Sequence, residues 1–264
     1  MTRRRPRLIQ TLCWTVLFAL TLHPGTGLPT RPVGVAPAWA EPQQAAPVRL
    51  ILLGPPGAGK ATQALRLADL YKVPAISTGQ LLRQAAAVNT PEGLDLKKTL
   101  EKGDLVSDDT VINLLRTRLQ QPDAAHGWVL HGYPRTLLQA LALDHMLVEA
   151  KQAVQLVVSL DVPTPVLVER LKNRLACKIC GRTYNSVTNP PQQAGVCDAD
   201  GGELVLRPDD QPIIAQQRVE DQGRLHEEMK AYYGSRDIYM VIDGSGDIAG
   251  VQATINRELK KRTK

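Results

Sequence analysis

Four short runs of apolar residues stand out along the chain: VRLILL (48–53), GWVLH (127–131), QLVVSLDV (155–162) and IYMVID (238–243). The first is nearly all apolar, the pattern of a strand buried on both faces; the other three are strand-like runs. Between the runs, apolar residues recur every three or four positions in ATQALRLADLYK (61–72), DDTVINLLRTRLQ (108–120) and TPVLVERLKNRL (164–175), which predicts amphipathic helices. Strands alternating with such helices predict an α/β fold, a parallel sheet flanked by helices on both faces. The alternation lapses over residues 176–210, where three of the four cysteines lie among glycines and prolines. That stretch reads as a module inserted between two helices.

The first forty residues follow another pattern. MTRRRPR is positive, and LIQTLCWTVLFALTL (8–22) has about the length of a signal-peptide core, short for a membrane span. Ala38-Trp39-Ala40 fits a small-x-small cleavage site before Glu41. Residues 1–40 are therefore expected to be a leader and residues 41–264 an exported domain, periplasmic or equivalent, with no stable membrane span in the mature chain. Two alternatives stay open: an uncleaved anchor, or a start placed too early, which leaves a cytoplasmic protein. Cys13 has no partner cysteine in this segment.

Charge is informative only once this segment is set apart. The chain of 264 residues carries +6, but residues 1–40 hold five arginines and no acid, so the remainder carries +1. No basic run marks the rest except the terminal LKKRTK, which reads as a solvated helix end, so nucleic acid is not an expected partner. With 43% apolar and only 4% aromatic residues, the core of one sizeable domain must come from Leu, Val, Ile and Ala.

Three groups of residues carry chemistry. GPPGAGKAT (54–62) follows a predicted strand and opens a predicted helix. Its glycines let backbone N–H groups turn toward an anion, the helix N-terminus adds partial positive charge, and Lys60 reaches β- and γ-phosphates. Ala61 follows the lysine and cannot ligate a metal; the hydroxyl comes one residue later, at Thr62. Second, Cys177-x2-Cys180-x16-Cys197-x2-Asp200 has the two-knuckle spacing of a structural Zn²⁺ site, with a disulfide or free thiols as alternatives. Third come Arg83, Arg135, Arg170, Arg174, Arg207 and Arg218: several sit at element ends or beside turns, where a phosphate could be gripped in a bidentate way, and a solvated surface place is the alternative for each taken singly.

In their order, these motifs resemble the adenylate kinase family, of the long-lid bacterial type with a zinc-bearing lid. The resemblance covers residues 48–262. It implies a P-loop kinase fold with an AMP-binding segment (77–106) and an inserted lid (173–210) that binds Zn²⁺ through Cys177, Cys180, Cys197 and Asp200. It implies an ATP site made of Gly57, Ala58, Gly59, Lys60, Ala61 and Thr62 of the loop, Arg170 and Arg174, Thr183 and Tyr184 of GRTYN, and Gly246 of IDGSGD. For AMP it implies Thr78 and Arg83 of ISTGQLLR, Asp104, Leu105 and Val106 of GDLVSDD, and Gly132, Tyr133, Pro134, Arg135 and Gln139 of GYPRTLLQ, with Arg207 and Arg218. Lys60, Arg135, Arg174, Arg207 and Arg218 are the implied catalytic residues. The implied reaction is Mg·ATP + AMP ⇌ 2 ADP, run by a monomer on small nucleotides.

The chain departs from the family at two places. His131 stands before GYPR, where the family has an aspartate that helps hold Mg²⁺ through water, and Gln80 stands after STG in place of another aspartate. A neutral imidazole accepts one hydrogen bond from a metal-bound water but brings no negative charge. The enzyme is then active with Mg²⁺ held mostly by the nucleotide, or slow, or a nucleotide-binding relative without catalysis. Within enzymes the alternative is a kinase for another nucleoside monophosphate; Thr78, Gln139 and the long lid argue for AMP.

Overall fold

The computed structural model describes residues 47–262, apart from the side chains of residues 222–225. The expected leader, residues 1–40, lies outside the described residues. The chain runs β1 (Val48–Leu53), α1 (Lys60–Tyr71), β2 (Ala75–Ser77), α2 (Thr78–Ala86), α3 (Pro91–Lys102), α4 (Asp108–Leu119) and β3 (Gly127–His131). It continues with α5 (Leu137–Glu149), β4 (Leu156–Asp161), α6 (Thr164–Lys172), β5 (Arg174–Cys177), β6 (Thr183–Asn185) and β7 (Leu204–Leu206). It closes with α7 (Pro212–Gly234), β8 (Tyr239–Asp243) and α8 (Ile248–Arg262).

Five strands form one sheet in the order β2-β3-β1-β4-β8, and every pairing is parallel. All six residues of β1 are buried, because β1 lies mid-sheet with helices over both faces. Its side chains alternate between two cores. Leu50 and Leu52 join Val158, Leu160, Leu67 and Ile255 on one face, while Ile51 and Leu53 join Trp128, Leu130, Leu115 and Leu143 on the other. Each such side chain contributes about 1.5–3 kcal/mol when fully buried. Leu52 of β1 and Ser77 of β2 are both in register with His131, so their strands end together on one edge. In parallel sheets that carboxyl edge is where ligands bind.

The second sheet is antiparallel, in the order β6-β5-β7, with a small core of Cys177, Tyr184, Cys197 and Leu204. It begins earlier than the sequence pattern predicts. The helical reading of 164–175 overshoots: α6 stops at Lys172, and Arg174 and Leu175 pair instead with Asn185 and Tyr184. The stop is chemical. The Asn173 amide folds back to donate to the Glu169 carbonyl and carboxylate, both at 3.0 Å, closing the last helical turn. Among the described residues no helix is long and apolar enough to cross a membrane.

Candidate active site

The loop from Gly54 to Gly59 links β1 to α1 at the sheet's carboxyl edge. Gly54 has φ 130°, and a Cβ there would lie 2.6 Å from the Leu160 carbonyl oxygen, so only glycine fits. Gly59 is left-handed at the start of α1, which has no side-chain cap and no acid in its first turn. Its first N–H groups therefore stay available to an anion. Lys60 curls over the loop and donates to the carbonyls of Gly54 (2.6 Å) and Pro55 (2.7 Å). Burial, then the charges of Arg135, Arg174 and Arg218, hold its ammonium well below the usual lysine range.

Two cavities open here, of about 1250 Å³ and 460 Å³. The larger runs over the loop and under the second sheet. Gly57, Ala58, Gly59, Lys60, Ala61, Thr62, Arg170, Arg174, Thr183, Tyr184 and Gly246, the whole set expected for ATP, line it. The Arg170 guanidinium donates to the carbonyls of Gly244 (3.0 Å) and Ser245 (3.2 Å), fixing its plane against the loop after β8. The smaller cavity lies between α2, α3 and the start of α5. Thr78, Arg83, Asp104, Leu105, Val106, Gly132, Arg135, Gln139, Arg207 and Arg218 line it.

Two residues expected to touch AMP stand behind this wall. Tyr133 is fully buried among Leu130, Leu143 and Met229, and its hydroxyl donates to the Gln139 carbonyl at 2.7 Å. Pro134 is buried beside it and lines a separate void of about 20 Å³. Both face inward because the turn after β3 directs Arg135 toward the cavity and its neighbours toward the core.

The two cavities meet at Arg83, Arg135, Arg207 and Arg218, which line both. Two acids, Asp210 buried and Asp209 half-buried, set the angles of Arg174, Arg207 and Arg218. Asp210 accepts from Arg174 (Nε at 2.6 Å) and from Arg218 at 3.1 Å. Asp209 pairs with Arg207, and Arg218 reaches its carboxylate at 2.9 Å and its carbonyl at 2.8 Å. Burial alone would push the Asp209 carboxyl up, but Arg207 and Arg218 outweigh it and hold it at about 2. The arginines still exceed their partners. Burial first, then the charges of Arg207 and Arg218, push Arg83 down to about 9 and both Arg135 and Arg174 to about 10. A junction whose cations destabilise one another is built to receive several negative charges.

Sequence reasoning assigned Asp209 and Asp210 no role. The signal was present, since RPDD places two adjacent acids at the end of the arginine-bearing module. It also missed Asp108, which accepts from the Gln139 amide at 2.7 Å and from the Thr136 hydroxyl at 2.9 Å. With the Arg135 N–H donating to its oxygen at 2.8 Å, Gln139 is held in one amide orientation.

His131 ends β3 inside the larger cavity, half-buried. Burial, then Lys60, Arg83 and Arg135, push its pKa down to about 3, so the imidazole is neutral at physiological pH. A hard divalent cation takes oxygen ligands, chiefly carboxylates, carbonyls and water. Among the described residues lining this cavity, no carboxylate stands free beside the loop: Asp69 pairs with Lys72, and Asp247 caps α8 through the N–H groups of Ala249 and Gly250. The residues present do not fit direct protein ligation of Mg²⁺.

The donor set in the second sheet does fit a metal. One ligand atom from each of Cys177, Cys180, Cys197 and Asp200 lies within 4.8 Å of the other three. The cysteines are free of disulfides, and three sulfurs with one carboxylate oxygen suit tetrahedral Zn²⁺ with no position left for substrate.

Comparison with known proteins agrees with this geometry. The family described as adenylate kinase matches residues 52–238. Adenylate kinase of Archaeoglobus fulgidus is 42% identical over 214 residues, covering 81% of this chain and 99% of the relative. Adenylate kinase of Methanosarcina mazei is 41% identical over 214 residues (81% and 99%), and that of Bacillus subtilis 39% over 208 residues (79% and 96%).

Proposed function

The chain belongs to the adenylate kinase family, and from that premise we propose how its own residues run Mg·ATP + AMP ⇌ 2 ADP. Family membership makes the protein a nucleoside monophosphate kinase that binds ATP, AMP and ADP. Adenylate kinases use Mg²⁺ with ATP; because no carboxylate among the described residues lining the larger cavity is free for the ion, the protein's own share of charge neutralisation rests on its cations.

The observation that carries the assignment is the shared arginine wall between the two cavities. ATP occupies the larger cavity with its phosphates over the loop, and AMP the smaller. The AMP phosphate and the γ-phosphate then meet at Arg135, Arg207 and Arg218. An AMP phosphate oxygen attacks the γ-phosphorus in line, without a covalent enzyme intermediate. Lys60, Arg135, Arg174, Arg207 and Arg218 neutralise the charge that spreads over the equatorial oxygens. Asp209 and Asp210 hold the guanidinium groups of Arg174, Arg207 and Arg218 at fixed angles before substrate arrives, so little reorganisation of these three remains in the transition state. The in-line transfer requires no proton from His131. Residues 77–106 close over AMP and residues 173–210 over ATP, which excludes water as a competing acceptor. Cys177, Cys180, Cys197 and Asp200 would hold Zn²⁺, which would stiffen that lid.

The test is ADP formation from ATP and each nucleoside monophosphate in turn, with Mg²⁺. AMP should be the preferred acceptor. Faster turnover of another monophosphate would reassign the smaller cavity. Tight binding of both nucleotides with no ADP formed would favour the binding-protein reading that His131 and Gln80 suggest.

A further inference from the structure

Gln80 lies in the first turn of α2, where its backbone N–H donates to the Ser77 hydroxyl at 3.3 Å. Its side chain leaves the helix and crosses the larger cavity. The amide Nε2 donates to the Cys180 carbonyl at 2.6 Å. Gly181 presses against the same side chain: a Cβ there would lie 3.5 Å from Gln80 Cγ, and its φ of +71° favours glycine in any case. The carbonyl is not on a loose loop. The Gly181 N–H donates to the Cys177 carbonyl at 3.1 Å and the Cys177 N–H to the Arg182 carbonyl at 2.9 Å, so the knuckle is closed on itself. Its cysteines belong to the candidate metal cluster.

We propose that Gln80 is a positioning residue that ties the AMP-side segment to the metal knuckle, so that closure over ATP and binding of AMP reinforce one another. The inference rests on reading residues 77–106 and 173–210 as the AMP and ATP covers. It explains why an amide serves at this place. The partner is a carbonyl oxygen, which needs a donor; an ionised carboxylate offers only acceptors and would repel it. The contact forms only when both covers are in, so each nucleotide that brings its own cover in prepares half of the contact for the other. That is a coupling between sites, and it is reciprocal. One neutral hydrogen bond of ordinary net worth makes the coupling about fivefold.

The measurement is calorimetric binding of AMP to the full protein, with and without saturating β,γ-methylene ATP, which binds but does not transfer. Wild type is compared with Gln80→Ala, which removes the reach, and Gln80→Glu, which keeps the reach but removes the donor. In wild type the analogue should tighten AMP binding, and AMP should tighten analogue binding by the same factor. Both variants should lose about fivefold of that factor while binding AMP alone as wild type does. In turnover the KM for both nucleotides should rise in the variants without a fall in kcat. Unchanged coupling in both variants would overturn the proposal. So would an equal loss of AMP affinity without the analogue, which marks a local role in the AMP site. Failure of wild type to make ADP would count against the kinase reading alone, because the coupling is read from binding.

Discussion

With both covers in, as the structure has them, acidifying the protein without nucleotide from pH 7 to pH 5 should cost about 2 kcal/mol of stability through one side chain, His131. In the folded protein burial and the cations Lys60, Arg83 and Arg135 hold this imidazole at a pKa of about 3; in the unfolded chain it titrates near the ordinary histidine value of about 6.5. Between those values the unfolded chain binds a proton that the folded chain refuses. Stability therefore rises with pH through the window and is lost as pH falls from about 6.5 toward 3. At pH 5 the unfolded imidazole is almost fully protonated and the folded one almost wholly neutral, which gives the figure above. Against a total stability of roughly 5–15 kcal/mol the loss is large. Asp209, held at about 2, does not confuse the reading, because a lowered carboxyl pKa loses its contribution only as pH falls below about 4. The assay is urea unfolding of wild type and His131→Asn at both pH values. The other histidines are common to both proteins and cancel. His131→Asn should lose about 2 kcal/mol less than wild type over the interval. Equal losses would show that the imidazole is not held neutral and would refute the electrostatic description of the site. Bound nucleotide should shrink the difference, since phosphate charge favours the imidazolium.

Four further outcomes are expected. His131→Asp returns an acceptor with negative charge to the end of β3 and should lower the Mg²⁺ concentration for half-maximal ADP formation by about tenfold, the low end of what outer-sphere partners contribute to metal affinity; an unchanged Mg²⁺ titration would reject the idea. Arg135→Lys keeps the charge but loses the planar fork, so the KM for AMP should rise by about tenfold or more in steady-state assays, with the KM for ATP far less affected. Asp210→Ala frees Arg174 and Arg218 from their shared buried partner; kcat should fall by about tenfold, the equivalent of 1.4 kcal/mol, while affinity for nucleotide, measured by calorimetry, holds or increases. Zinc chelation should raise hydrogen exchange across residues 173–210, whose own core is four buried side chains, and leave β1 and β4 protected.

The main sheet was legible because β1, β3 and β4 are covered on both faces, so their apolar runs need no partner to be recognised. β2 was not: three residues, Ala75–Ser77, carry too little pattern. The end of α6 was misread because Arg174 and Leu175 continue the helical spacing, and the competing signal, the Asn173 side chain folding onto Glu169, is a three-dimensional event. In the site, residues whose role follows from backbone geometry were readable, as in the glycines and Lys60 of the loop. Residues that act by holding others were not. Asp108, Asp209 and Asp210 reveal themselves only when the arginines and Gln139 converge on them. Gln80 stood out in sequence only as a departure from the family, and its partner is a backbone carbonyl 100 residues away.

The crowd of cations between the two cavities also bears on how long a molecule of this protein lasts. A copy with nothing bound keeps Arg83, Arg135 and Arg174 in uneasy company, and bound phosphates relieve it. Ligand at a hundred times its Kd adds about 2.7 kcal/mol to the folded state. Proteases cut opened chains, and the open fraction falls with that added stability. Copies starved of nucleotide should therefore be culled first and charged copies spared. The abundance of the protein then becomes a slow record of the nucleotide pool it serves, kept by quality control without a separate sensor.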